Sequence, residues 1–255
     1  MDLGLKGKKA IVTGGTRGIG RAVVESLARE GADIAICART ESGVVETVNA
    51  LRAIGVRAFG TALDVRDRDA FTKWHESASA ELGGIDIAIS NVSTRPTLSG
   101  EDGWREAFET DFLQHVRFAE LSLPMLARGK DTSLLFVSSI AATLMVLPPG
   151  ESAYGTMKAA LISYMGQLAA KHGSSGIRVN AVSPGPIFFE GGVWDQIRRH
   201  QPELFNRAAQ MSALGRHGRP EEVADAITFL ASSRAGFITG ANLRIDGAMV
   251  KTVNH

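Results

Sequence analysis

Short apolar, β-branched runs alternate along this chain with longer amphipathic segments. The runs fall at 10–13, 33–37, 57–61, 85–90, 133–138, 177–182 and 242–245. Most are apolar at nearly every position rather than at every second one. That is the pattern of strands covered on both faces, as in a parallel sheet. Helical spacing of apolar positions predicts helices over 18–30, 41–54, 67–82, 104–127, 152–172 and 220–232. Gly31, Gly55, Gly83 and Gly173 stand where four of these should stop. Strand then helix, repeated at this spacing, predicts an α/β fold: a Rossmann-type doubly wound sheet of about seven parallel strands with helices on both faces.

One stretch breaks the rhythm. Residues 184–219 carry Pro184, Pro186, Gly191, Gly192 and Pro202 among bulky apolar and charged residues. Long segments of this kind often cover active sites, so 186–218 is expected to be a substrate lid. No flexible linker and no internal repeat interrupts the rest, and a single domain over 1–255 is expected.

Composition narrows the classes. The chain has 255 residues, 44% apolar and 22% charged, with a net charge of +1. This is a globular balance, and without a long basic run there is no reason to expect nucleic acid. One cysteine, Cys37, excludes an internal disulfide and fits a reducing compartment. Neither a signal-peptide pattern nor an apolar window of membrane length is present, so a cytoplasmic protein without membrane contact is expected. The six histidines lack ligand spacing, and no metal is expected.

The first strand runs into Thr13-Gly14-Gly15-Thr16-Arg17-Gly18-Ile19-Gly20. Glycines between a strand and a helix let the backbone approach a pyrophosphate, held at the helix N-terminus. The second strand ends Cys37-Ala38-Arg39-Thr40, with no acid. An acid there would hydrogen-bond the ribose 2′-OH of NAD, whereas a guanidinium suits the 2′-phosphate of NADP. Arg39, with Arg17 in reach, therefore points to NADP(H). Asp64 closes the third strand at the ligand-binding edge, or else caps the next helix. Tyr154 and Lys158 stand one helical turn apart on one face. A free tyrosine is a poor acid or base at neutral pH, and a neighbouring ammonium favours its phenolate. Such a tyrosine can pass a proton to or from a substrate oxygen as hydride moves. Ser138 and Ser139 close the fifth strand at the same edge, where a hydroxyl can reach that oxygen or simply cap the strand.

Taken together these residues resemble the short-chain dehydrogenase/reductase family, in its branch of single-domain chains. The likeness spans nearly the whole sequence: TGGTRGIG at 13–20, LDV at 63–65, Asn91, SS at 138–139, YGTMK at 154–158, IRVNAVSPG at 177–185, and RPEEVADAITFLAS…FITGANLRIDGA at 219–248. The resemblance implies Tyr154 as acid/base, Lys158 on the nicotinamide ribose and Ser139 on the substrate oxygen. It implies cofactor contacts from Gly14, Thr16, Arg17, Gly18, Ile19, Gly20, Asn91, and Asp64 and Val65 beside the adenine. Pro184, Gly185 and Ile187 would border the nicotinamide. It also implies a homotetramer.

Several positions depart from the family pattern. Ser93 replaces a glycine after the fourth strand. Asp111, within WREAFETDFLQ, stands where the family has a catalytic asparagine associated with a helix bulge and a proton relay to the lysine. The resemblance makes Asp111 a catalytic candidate whose negative charge alters that relay. The stretch between Ser139 and Tyr154 is about two residues longer than usual, with Pro148-Pro149-Gly150 inside it. Phe189 stands where many relatives have a threonine.

The substrate is the least legible part. Ser93, Leu144, Met145, Phe188, Phe189 and Trp194 are candidate walls of an apolar pocket, or packing of the lid. Arg198, Arg199 and His200 form either an acid-binding patch or a solvated face. The leading expectation is an NADP(H)-dependent reductase or dehydrogenase acting on a small carbonyl or alcohol, with 3-oxoacyl thioesters among the possibilities. Asp111 and Ser93 motivate an alternative, an NADP-binding regulatory or scaffold protein with impaired catalysis. An epimerase or dehydratase is a third class, disfavoured by the lack of an appended substrate domain.

Overall fold

In a computed structural model, which describes residues 2–93, 100–148 and 150–252, seven strands form one sheet. They are β1 (Lys9–Thr13), β2 (Asp33–Ala38), β3 (Ala58–Ala62), β4 (Ile87–Ser90), β5 (Thr132–Val137), β6 (Ile177–Pro184) and β7 (Asn242–Ile245). All pair in parallel, in the order β3-β2-β1-β4-β5-β6-β7. The order reverses between β1 and β4. Loops leaving those two strands diverge, and a crevice opens at their carboxyl ends.

Alternation across the sheet explains the continuous apolar runs. Ala10, Val12, Ile34 and Ile36 face α1 (Gly18–Arg29), α2 (Glu41–Ile54) and a late helix at Pro220–Ala231. Ile11, Ala35 and Cys37 face the opposite layer, with Phe71 and Trp74 of α3 (Arg68–Leu82). Successive side chains of a strand point to opposite faces, and here each face has its own helices to bury them.

The predicted helix over 104–127 is three pieces: α4 (Gly100–Phe108), a π-helical turn (Glu109–Leu113) and α5 (Gln114–Leu126). The wider turn accommodates an extra residue, and such turns cluster at functional sites. The predicted helix at 152–172 is α6 (Ser152–His172). It stops at Gly173 as expected, although this C-cap glycine is still right-handed and opens a 3₁₀ turn, and the left-handed residue is Gly176. The segment read as irregular contains α7 (Val193–His200) and α8 (Pro202–Met211), before α9 (Pro220–Ala231). Pro202 opens α8 in the first helical turn, where its missing N–H costs nothing.

Candidate active site

A cavity of about 1090 Å³ occupies the crevice, running from the glycine turn after β1 to the helices α7 and α8. Gly14, Thr16, Arg17, Ile19 and Gly20 line one end, with Arg39, Asp64, Val65, Arg66 and Asn91. Ser93, Ser139, Tyr154 and the lid residues line the other.

At the glycine end the backbone leaves no room for side chains. Gly14 has φ +70°, and a Cβ on Gly20 would lie 2.0 Å from the Gly14 carbonyl oxygen. Asn91 braces the turn: its side-chain amide donates to the carbonyls of Thr13 and Gly14 at 3.1 and 3.2 Å. The first turn of α1 carries no acid and Arg17 makes no side-chain cap, so the helix N-terminus presents open amides to the cavity. These features fit a dinucleotide pyrophosphate.

Arg17 and Arg39 are exposed on the rim. A third arginine, not anticipated from the sequence, joins them. Arg66 grips Asp64 with Nε at 3.0 and 3.1 Å and Nη2 at 2.6 Å, and this hydrogen bonding holds the Asp64 carboxyl below its usual range. The capping alternative for Asp64 falls away, because Asp67 caps α3 through the amides of Asp69 and Ala70. The adjacency of Arg66 to LDV was the available signal.

At the opposite end Lys158 is wholly buried. Its Nζ donates to the Val137 carbonyl at 3.2 Å and lies 3.4 Å from Asp111 Oδ1, itself wholly buried. The Tyr154 ring is 5.7 Å from that Nζ. Asp111 comes from the π turn, which brings the carboxylate inward. Ser93 Oγ donates to Asp111 Oδ1 at 2.5 Å. The two departures from the family pattern thus touch each other, and Ser93 borders the cavity as expected. His115 Nδ1 lies 2.7 Å from Ser90 Oγ; burial first and Lys158 second push its pKa far below the usual histidine range, leaving it neutral. Ser139 lines the cavity and accepts from the Ala141 amide at 3.1 Å. Its neighbour Ser138 is structural, donating to the Lys158 carbonyl at 3.0 Å and tying α6 to β5.

Pro184, Gly185 and Ile187 border the cavity after β6, with Phe189 and Trp194. The Phe189 ring lies over the glycine turn, so close that a Cβ on Gly18 would stand 2.6 Å from it. Met145 is corrected: it is 100% exposed and does not line the cavity, whereas Leu144, Val146 and Leu147 do. Phe188 packs edge-on against Phe205 and beneath Arg198, away from the cavity wall. Arg198 and Arg199 do meet an acid, but one on their own helix: both pair with Asp195, at 2.7 and 2.6 Å. The insertion read around 148–150 includes Pro149, which lies outside the described residues. Among the described residues no helix is long and apolar enough to cross a membrane, and no acidic, histidine or cysteine cluster is arranged to hold a metal.

Known proteins are similar to this chain over nearly its whole length. A family profile described as Enoyl-(Acyl carrier protein) reductase matches residues 14–249. Isoepoxydon dehydrogenase of Penicillium expansum is 36% identical over 252 residues, spanning 98% of this chain and 97% of its own. A 3-oxoacyl-(acyl-carrier-protein) reductase of Vibrio cholerae is 33% identical over 251 residues, 97% of this chain and 99% of its own. Among solved structures, L-sorbose reductase of Gluconobacter frateurii, in complex with NADPH and L-sorbose, superposes with a TM-score of 0.89. It is 30% identical and covers 99% of this chain and 100% of its own. The fold and the matches together define a nicotinamide-dependent oxidoreductase class. The chain belongs to the short-chain dehydrogenase/reductase family.

Proposed function

We propose that this chain is an NADP(H)-dependent oxidoreductase that interconverts a small carbonyl compound and its secondary alcohol. The observation that carries the proposal is one cavity joining an arginine-rimmed glycine turn to Tyr154, Lys158 and Ser139. Bound nicotinamide supplies or accepts the hydride at the reacting carbon. Arg39 and Arg17 would hold the 2′-phosphate, and the amides opening α1 the pyrophosphate. Tyr154 gives its phenolic proton to the substrate oxygen in reduction and withdraws it in oxidation. Lys158 stabilises the phenolate between those events. Ser139 accepts from Ala141, which leaves its own hydrogen to orient the substrate oxygen. Residues 186–218, carrying Trp194 and Phe189, act as the lid of a single domain.

The walls Leu144, Leu147, Trp194, Leu204 and Met211 suit an apolar substrate body, and relatives are named for 3-oxoacyl-(acyl-carrier-protein) and for the ketose L-sorbose. A panel of ketones, ketoses and 3-oxoacyl thioesters, followed by NADPH absorbance, tests the assignment. Oxidation of NADPH by at least one class, faster than of NADH, is expected; inertness toward all of them with intact NADPH binding favours a scaffold role.

Trp104 and Phe108 stand exposed on α4, and from Phe108 a chain of aromatic contacts runs through Phe112 to Tyr164 of α6. We propose that this face is covered in a homotetramer with two-fold axes. Light scattering at micromolar concentration is expected to give four times the chain mass; a monomer refutes the assembly. The single buried Cys37, its thiol pushed up by burial, accords with a cytoplasmic setting.

A further inference from the structure

We propose that Ser93 and Asp111 form a tuning pair that sets how much positive charge Lys158 presents to Tyr154, with Ser93 as the positioning residue. The proposal rests on the reading of Tyr154 and Lys158 as the proton-transfer pair, but its test does not require catalysis.

Three separate elements converge on one oxygen. Lys158 comes from α6, Asp111 from the π turn and Ser93 from the loop after β4. Asp111 Oδ1 is 3.4 Å from Lys158 Nζ and 2.5 Å from Ser93 Oγ. A serine bordering an open cavity has water available for its hydrogen; this one turns it inward to a buried carboxylate. Two charges withdrawn from water are tolerated where further hydrogen bonds satisfy them. Ser93 supplies one such bond to the acid, and the Val137 carbonyl supplies one to the ammonium.

Other groups around Lys158 do not overwrite this balance. His115 on α5 is neutral, for the reasons given above. Tyr154 is one turn away on the same helix, and Glu106 and Glu151 stand on the cavity wall. Asp111 is the acid paired directly with the ammonium.

The two members of the pair act with opposite signs. The negative charge of Asp111 offsets the ammonium, so Tyr154 feels less net positive charge than beside a neutral amide. The hydrogen bond from Ser93 draws part of that negative charge away from Lys158. Removing Asp111's charge therefore eases Tyr154 ionisation; removing Ser93's hydroxyl hinders it.

The chain has only two tyrosines, Tyr154 and Tyr164. In a Tyr164→Phe background, tyrosinate absorbance of the cofactor-free protein reports Tyr154 alone. Asp111→Asn is expected to move its midpoint to lower pH by about one unit. Ser93→Ala is expected to move it to higher pH by roughly 0.3 unit, with Ser93→Thr restoring it. Within Asp111→Asn, Ser93→Ala is expected to do far less, since the amide oxygen that still accepts from Ser93 carries no net charge to be drawn from Lys158. A purely structural serine would not yield this sign or this coupling. A midpoint unchanged or raised in Asp111→Asn overturns the proposal, as does an equal Ser93→Ala effect in both backgrounds. The Ser93 series alone decides the sign if Asp111→Asn folds poorly. Should Tyr154→Phe retain full turnover, the catalytic reading fails while these titrations still stand on their own.

Discussion

At the glycine-turn end of the cavity the cations stand in water: Arg17 and Arg39 are exposed, and Arg66 reaches across the rim to Asp64. At the other end Lys158 and Asp111 are fully buried, with a neutral His115 close by. Exposed charges attract a ligand over distance and are screened by salt, with a Debye length of about 8 Å at physiological ionic strength. Buried charges are hardly screened, and each must have a partner. Under the proposed function, one end would select an anion and the other would hold a proton at a defined energy.

Three experiments break or sharpen that contrast. Tyr154→Phe is expected to lower turnover by about two orders of magnitude or more, the usual scale of a lost acid/base. Its NADPH affinity should stay close to wild type, and the defect should be the same at low and high salt. Wild-type turnover in this variant would remove the buried end from the chemistry.

Arg39→Asp should abolish the preference for NADPH over NADH, weakening NADPH binding by about tenfold or more through loss of a charge-assisted contact and gain of a repulsive one. Fluorescence titration of both cofactors measures it. The wild-type preference should itself shrink as salt rises; equal affinities at low salt would contradict the assignment of the rim.

The smallest effect concerns the histidines buried behind the catalytic end. His75, near α5 through Ser122, has its pKa lowered to about 4 by burial, and burial likewise holds His115 well below the usual histidine range. Unfolding returns each to about 6.5. As pH falls below that value the unfolded chain binds protons that the folded chain refuses, so stability is lost on acidification. For His75 the loss continues down to about pH 4. Each contributes a slope of roughly 1 kcal/mol per pH unit. Melting temperatures between pH 7 and 5 should fall less steeply in His75→Gln than in wild type, and an unchanged slope would show that His75 takes up its proton in the folded state.

The sheet was legible because parallel strands buried on both faces leave near-continuous apolar runs, and every predicted run coincides with a strand to within about two residues. The glycine turn, Arg39, Ser139, Tyr154 and Lys158 were legible as local spacing, and the structure brings all but Lys158 to one cavity wall, with Lys158 buried behind Tyr154. What was not legible depends on distance rather than spacing. Ser93 and Asp111 are 18 residues apart, and nothing in either neighbourhood says that they touch. The apolar residues of WREAFETDFLQ keep a helical rhythm through the π turn, and only the helix bulge that the resemblance implied at Asp111 pointed to it. The short helices α7 and α8 hid among charges that serve each other, as Asp195 serves Arg198 and Arg199. Met145 misled because a large apolar residue beside a pocket can still point to solvent.

Asn91 has a consequence beyond holding the glycine turn in place. Carbonyl oxygens are the acceptors of a backbone turn, and an unengaged one beside a phosphate repels it. By donating to the oxygens of both Thr13 and Gly14, Asn91 withdraws two acceptors from the turn. The turn is left with two fewer lone pairs to oppose an anion beside the open amides of α1. Under the proposed function, the turn's selectivity for an anion would be partly subtractive: it would come from masking the groups that oppose the ligand.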